Sequence, residues 1–519
     1  MLHFKKKYRT LYRYAIALLL LSTFSNNSNG QYYSNWFLTT DSILSFNTNP
    51  PSFVNTFNNV PGSKGDDKQC INNCMGKPLL FSNPPFVFNQ FGDSLGKYLI
   101  SDGNTISGPG VFVPKPGNDS LYYHFYIVYS IKLSKYGVYF GELRYAEINA
   151  LANNGAGQII RSKVVLDDTC DYSNLCLIRN SKGSGYWILV TSDCTTAHCY
   201  KIDSSGVSSK PVVSNNVYNL TEYELRKYYP WPVSFPNTFN RSLYFRSLII
   251  SSNNGKSLVS TSIPDAVNNY AGSAFIYDFD QATGKLSNGK SILPFNELGS
   301  NYTSDAACFS GDDSLIYISV NPGYNNPFSG TKNYKLIQYN IKRNTRRVIR
   351  NTNNSSDAIS LLAMGNNGKI YGFSFSGYDI SSRGTISFIH YPNKVGTACN
   401  LQKPVGFPRI WVSTPKPVDY LINVHSSLEY TNCVDTVAFS LIGDSNFSKL
   451  TCHFGDGDSI LIQKPENKIY SFKHQYKTEG RFTTEWKGLT AACGAPVWYT
   501  DTIDVKFAPR SIAKNVEIK

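Results

Sequence analysis

The chain has 519 residues with 50 Lys and Arg, 36 Asp and Glu, and a formal charge of +14. Five of the basic residues fall within the first thirty, leaving 45 against 36 acidic and a net +9 on the remainder. That charge is scattered, apart from the run Lys342, Arg343, Arg346, Arg347 and Arg350, so a solvated basic surface is expected and nucleic-acid binding is not, since no motif supports it. Weak attraction to acidic glycans or cell surfaces is compatible with it.

The first thirty residues read as a secretory signal peptide. Lys5, Lys6, Lys7, Arg9 and Arg13 precede the apolar run Ala15 to Leu21, and the small polar stretch Ser25 to Gly30 follows. The apolar run falls short of the roughly 20 residues that span a bilayer, so a retained anchor is the weaker alternative. Cleavage near Gly30 would leave Gln31 in front. Cys70 is the first cysteine, which excludes lipid attachment at that boundary. No later segment is apolar enough to cross a membrane, and an exported protein is expected, secreted or at the cell surface, with the periplasm as alternative.

About 490 residues remain, enough for two or three domains and a large core. Tyr (36) and Phe (31) are abundant and Met (3) is scarce. Aromatic and β-branched residues suit a pleated, half-buried surface, with Gly and Asn supplying the turns. Helical periodicity is weak, its best stretch being Thr221 to Tyr229. A strand-turn-strand unit recurs instead, at Ser247–Ser262, Ala306–Val320 and Ile359–Phe373, with looser copies at Leu175–Val190 and Val111–Val128. The tips use Asn-Gly, Gly-Asp or Gly-Asn, which tolerate positive φ. Outer strands follow at Ala274–Phe279, Tyr334–Tyr339 and Thr385–His390. Spacings of roughly 55 to 70 residues match four-stranded blades with long loops, and five or more blades would close into a ring. An array of β-sandwiches is the competing architecture. The strands near Asn35–Leu38 and Ile43–Phe46 are expected to complete the final blade.

These features predict an all-β chain: signal peptide 1–30, β-propeller of four-stranded blades 31–415, linker 416–424, an immunoglobulin-like β-sandwich 425–508 and a tail 509–519. Cys70 with Cys74, Cys170 with Cys176, and Cys194 with Cys199 are close enough to staple loops in an oxidising compartment, and Cys433 with Cys493 could bracket the last domain. Zinc is the less favoured reading, because the spacings differ from a zinc knuckle and His198 has no second histidine at ligand distance. Cys308, Cys399 and Cys452 read as buried small hydrophobes.

No nucleophile elbow, metalloprotease helix or phosphate loop is present. Asn254-Gly-Lys-Ser257 lacks the leading glycine of a phosphate loop, with Ile250 in its place, and reads as a turn. Asp278 with Asp280, and Asp312 with Asp313, could be posed as a glycosidase pair, but they fall at strand ends and turn tips where turn-forming residues belong. Asp456 and Asp458 could chelate calcium, although a full oxygen set is not visible and a brace for the tight turn is favoured. No catalytic residue, cofactor or metal ligand is assigned.

Phe454-Gly-Asp-Gly457, His474-x-Tyr476 and Gly480-x-Phe482 together resemble the PKD-domain signature, with Cys452 where that family usually has Trp. The resemblance implies an immunoglobulin-like sandwich, and a structural hydrogen bond for His474. Trp36 to Pro51, Val113-Pro-Lys-Pro-Gly117, Phe279-Asp-Gln-Ala-Thr-Gly284 and Pro392 to Cys399 resemble stretches of exported Bacteroidetes-type proteins that join a WD40-like propeller to PKD repeats. Lys519 follows the PKD-like block without the C-terminal sorting domain that such proteins often carry. The implied function is non-enzymatic binding of an extracellular protein or glycan by propeller loops, with the PKD domain as spacer or second contact module. Aromatics from Tyr218 to Trp231 are expected to contribute. A secreted propeller enzyme acting on glycans is the alternative, separated from binding by whether two carboxylates face each other across a deep channel.

Overall fold

The computed structural model describes residues 35–37, 42–46, 48–55, 69–73, 77–83, 85–97, 107–133, 139–171, 175–181, 185–192, 196–215, 247–262, 273–294, 302–322, 333–354, 358–374, 384–407, 423–431, 434–442, 447–466, 468–491 and 496–506. Nearly everything described is antiparallel β-sheet. The leader, residues 416–422 of the expected linker, Thr221–Tyr229 and Tyr218–Trp231 lie outside these residues, as do Cys74, Cys194, Cys433 and Cys493, while Asn423 and Val424 already belong to a strand.

The meandering sheets follow one another in sequence as propeller-like blades. The first spans residues 35–55 with three strands, and the second spans 69–97 with four. A nine-stranded sheet contributes two more, 107–171 and 176–214, whose halves meet through the single register pair Cys170 with Ser192. Four-stranded sheets at 247–293, 302–352 and 361–407 complete the set, which makes seven blades among the described residues. Innermost strands of neighbouring blades lie against one another, from Asn35–Phe37 beside Gln69–Asn72 to Tyr302–Phe309 beside Leu361–Met364. Blades three and four share one core.

Burial explains the sequence pattern. Inner strands are covered on both faces by adjacent blades, so Leu315–Pro322 is buried over its first seven residues. Outermost strands face water, and Lys285–Leu293 and Thr345–Thr352 are correspondingly polar. The ring closes by packing: Trp36, Leu44 and Phe46 of blade one form a core with Ala363, Tyr371 and Phe373 of blade seven. Trp36 meets Tyr371 edge-on at 5.4 Å between ring centroids. The N-terminal strands thus form a sheet of their own and do not complete the last blade, which supplies its own four strands.

The two ends of the ring differ. Every blade from the second onward turns tightly at one end between its third and fourth strands or between its first and second, as at residues 252–257, 310–315 and 365–369. Longer connections leave from the opposite end, including 263–272, 323–332 and 375–383, outside the described residues.

Residues 423–505 form two facing sheets. Asn423–Thr431, Val434–Ile442 and Ile469–Gln475 make one, and Phe447–His453, Ser459–Gln463, Gly480–Thr490 and Pro496–Val505 the other. A single core joins them, including Phe439, Phe454, Tyr476 and Trp486. Cys452 is buried opposite Trp486 in register, so the indole comes from the neighbouring strand.

The proposed staple between Cys170 and Cys176 does not form. Both side chains are thiols on separate strands. Cys170 Sγ donates to Gly141 O (3.2 Å), and Cys176 pairs in register with Leu189. Sequence proximity misled because the intervening loop carries the chain from one blade to the next. Cys308, Cys399 and Cys452 are buried as expected.

Candidate functional site

The ring axis is the first place to look for chemistry, because inner strands of several blades converge there. A cavity of about 40 Å³ is lined by Val111, Leu177, Ile249, Phe309 and Leu362, with the thiols Cys176 and Cys308 and the polar Ser251 and Asn253. Among the described residues no Asp or Glu lines it. Such a volume admits a few waters, far below the roughly 300 Å³ at which small-molecule pockets begin.

Of the blade acids singled out in sequence, Asp280, Asp312 and Asp313 sit at hairpin tips and brace them, while Asp278 lies within its strand. Asp280 receives Ala282 N–H (2.9 Å) and the Thr283 hydroxyl (2.6 Å), and the Thr283 bond leads in holding its carboxyl below the usual range. Asp278 takes Asn288 Nδ2 at 2.7 Å. Asp312 closes its own turn, receiving Ser310 Oγ (2.7 Å) and Ser314 Oγ (2.8 Å). Asp313 reaches sideways into blade five, where it accepts Asn253 N and Nδ2, both at 2.8 Å, and Asn254 N at 2.9 Å. Burial outweighs these three donors and raises its carboxyl to about 6. Neither pair is among the residues lining the axial cavity.

Other braces tie the same end of the ring. Gln281 Nε2 donates to Arg179 O and Trp187 Nε1 to Gln281 O, each at 2.9 Å, joining blades four and five. Asp312 N donates to Asn393 Oδ1 (3.1 Å), joining six and seven. Gly284 is confined here by geometry: its φ is +78°, and an added Cβ would lie 2.6 Å from Trp187.

Sequence reasoning missed a polar cluster at the seam of the nine-stranded sheet. Asp167, buried, accepts Tyr200 OH (3.0 Å) and lies 2.6 Å from His198 Nδ1. Thr169 N and Oγ1 each donate to its other oxygen at 2.9 Å. Burial opposes its charge, but the His198 and Thr169 bonds prevail and hold the carboxyl below its usual range. Asp167 belongs to the third blade and His198 to the fourth, so the pair spans their sparse junction. The signal was the lone His198 beside an acidic stretch on another strand, which spacing alone does not connect.

In the sandwich, the Phe454-Gly-Asp-Gly457 turn is held by the residues that sequence singled out. His474 stacks on Phe454 at 3.9 Å between ring centroids and places Nε2 2.7 Å from Asp456 Oδ2. Asp458 N donates to Asp456 Oδ1 (3.1 Å), and Tyr476 OH donates to Phe454 O (3.0 Å). Partial burial works against the Asp456 charge, yet the His474 and Asp458 bonds keep its carboxyl below the usual range. Asp456, Asp458 and His474 are close enough to hold a cation. Both Asp456 oxygens are already engaged, and the oxygen-rich shell that calcium takes is not assembled by these three.

The sandwich docks on the tight-turn end of the ring. Tyr499 is buried and bonded by Asn393, and its ring lies over Gly368, where an added Cβ would be 2.6 Å from Tyr499 Cδ2. Lys394 Nζ pairs with Asp501 Oδ2 (3.5 Å), Tyr391 OH meets Thr502 Oγ1, and Asn49 Nδ2 donates to Glu485 Oε2 (3.1 Å). The contacts therefore reach both blade seven and blade one.

No protein-family model matches the chain, and no curated protein does. Among solved structures, an exo-β-1,3-galactanase from Phanerochaete chrysosporium is similar at 10% identity, covering 79% of this chain and 99% of its own, with a TM-score of 0.30. A TolB-like protein from Agrobacterium tumefaciens matches at 13% identity over 55% of this chain and 83% of its own, TM-score 0.30. An α-L-arabinofuranosidase from Podospora anserina matches at 12% identity over 56% and 94%, TM-score 0.31. At such TM-scores none of their activities is carried to this chain.

Proposed function

We propose that this protein is an exported binding protein. A seven-bladed propeller would recognise an extracellular protein or glycan, and a PKD-type, immunoglobulin-like sandwich would sit on it as a docked second module. The observation that carries the reading is the axial cavity among the described residues, too small for a sugar and lined by no described carboxylate, while the acidic residues posed as a catalytic pair are spent on turns and blade junctions. The PKD-type assignment draws on the Phe454–His474 stack, the Asp456 and Tyr476 bonds around the Gly-Asp-Gly turn, and the placement of Trp486 beside Cys452, which restores the bulk a tryptophan would give there. The burial of Tyr499 favours a fixed contact module over a loosely tethered spacer.

Pull-down from extracellular material and a glycan array with the purified protein test the reading, and saturable capture of a partner without turnover is expected. Hydrolysis of a glycan that disappears on changing one carboxylate would sink it in favour of a propeller enzyme.

A further inference from the structure

The Gly-Asp-Gly turn of the sandwich gathers more charge than its own bracing uses. Asp456 and Asp458 stand between Phe447–His453 and Ser459–Gln463 of one sheet, and His474 stands on Ile469–Gln475 of the other. A carboxylate oxygen from each acid and an imidazole nitrogen all lie within 4.8 Å of one another. Asp456 is spent on His474 Nε2 and on Asp458 N. Asp458 enters the turn through its backbone, donating N–H to Asp456 Oδ1 and accepting Phe454 N at its carbonyl (3.0 Å). Its exposed carboxylate accepts none of these bonds.

A structural hydrogen bond accounts for Asp456 and His474 and leaves the second carboxylate without a use. The three together carry the donor set of a metal site: one nitrogen and two anionic oxygens, converging from two sheets. The nitrogen is held in place, since the His474 ring lies flat on Phe454 with 5° between the planes and its Nε2 directed at Asp456. Room exists beside the acids, because a Cβ added at Gly457 would meet nothing within 4 Å.

We propose that Asp456, Asp458 and His474 bind a divalent transition-metal ion of the zinc type, which ties the two sheets of the sandwich together. Zinc takes imidazole nitrogen and carboxylate oxygen at about 2.0–2.2 Å in a four-coordinate site, with water in any position the protein leaves open. Tetrahedral ligands at that length stand about 3.3 Å apart. The His474–Asp456 separation of 2.7 Å therefore opens by about 0.6 Å, and the exposed Asp458 side chain swings in. The ion takes the place of the hydrogen between Nε2 and Oδ2, and the imidazole keeps its single N–H on Nδ1. Calcium, which takes six to eight oxygens, and magnesium, which demands an octahedron of them, both fit this set poorly. The proposal goes beyond the binding reading and does not depend on it.

The test uses the full purified protein, stripped with a chelator and titrated with zinc chloride against a chromophoric competitor. We expect one equivalent to bind, and the melting temperature to rise with zinc because the ion binds only the folded state. Asp458→Asn should weaken binding at least about tenfold and leave the zinc-free protein as stable as before, since the turn uses only its backbone. His474→Gln should lose more. Should that variant melt early for want of the Phe454 stack, Asp458→Asn decides alone. His453→Gln, which changes an exposed histidine of the same sandwich outside the cluster, should bind as the native protein does. Binding that survives Asp458→Asn unchanged, or that His453→Gln removes, would overturn the proposal. So would failure to bind an equivalent of zinc, or its displacement by excess calcium chloride.

Discussion

Asp313 joins two blades through one carboxyl, and its removal should be felt in a calculable way. Asp313→Ala deprives Asn253 N, Asn253 Nδ2 and Asn254 N of their acceptor. Bonds to an ionisable group contribute about 1.5–3 kcal/mol each when buried; at a tip partly open to water the three together are worth about 3 kcal/mol. Asp313 also sits at φ +58°, which adds about 1 kcal/mol for alanine. Asp313→Asn keeps one acceptor and tolerates that backbone, so it should cost about half as much. The pH dependence is the sharper assay. The folded carboxyl is raised to about 6 from 3.8, so between those values the native state holds a proton that the unfolded chain has released. Stability from this group is therefore full below pH 4 and lost as pH rises through about 6, by about 3 kcal/mol for two units at about 1.4 kcal/mol each. Urea unfolding of the native protein and Asp313→Asn from pH 4 to 7 isolates it: the native protein should lose its advantage as pH rises. An advantage that grows with pH would refute the reasoning, because it would mean that the three N–H donors, which favour the charged form, outweigh burial.

Trp486 is buried and its indole N–H has no hydrogen-bond partner; Trp486→Ala should cost about 3–5 kcal/mol, while Trp486→Phe keeps most of the packing, removes the orphan donor and should cost under about 1.5 kcal/mol, both read by urea unfolding. Gly284→Ala meets Trp187 and a positive φ together, whereas Gly457→Ala, at φ +101°, meets nothing within 4 Å. The first should cost about 3 kcal/mol and the second about 1 kcal/mol, and equal melting shifts would contradict the clash. Tyr499→Ala should free the sandwich from Gly368, raising hydrogen exchange at the 365–368 tip at least tenfold while the blade cores keep their protection.

What could be read in sequence tracks burial and turn chemistry. The hairpins at 247–262, 306–320 and 359–373 were legible because apolar inner strands meet at tips needing Asn, Asp or Gly. Blade two was not, because its inner strand Gln69-Cys-Ile-Asn72 buries two polar residues that break the apolar signal. Outer strands such as Lys285–Leu293 were silent for the opposite reason, since water faces them and imposes no periodicity. Asp312 and Asp313 were correctly placed in a turn, but only three dimensions show that Asp313 serves the neighbouring blade. The substitution at Cys452 was visible, while its compensation by Trp486 depends on a register that spacing does not reveal.

The sandwich touches Asn49 in blade one and Gly368, Tyr391 and Lys394 in blade seven, the two blades that meet where the ring closes. It thus acts as a clasp over the seam. Among the described residues that seam is held by side-chain packing rather than by a shared ladder, and its halves lie more than three hundred residues apart in sequence. During synthesis blade one has no neighbour on one side until blade seven emerges, and no clasp until the strands near Trp486 and Tyr499 follow. Contacts of such long range form late. Ring closure and sandwich docking should therefore be the final, coupled events of folding, and the unclasped ring is the species that a chaperone or protease would meet.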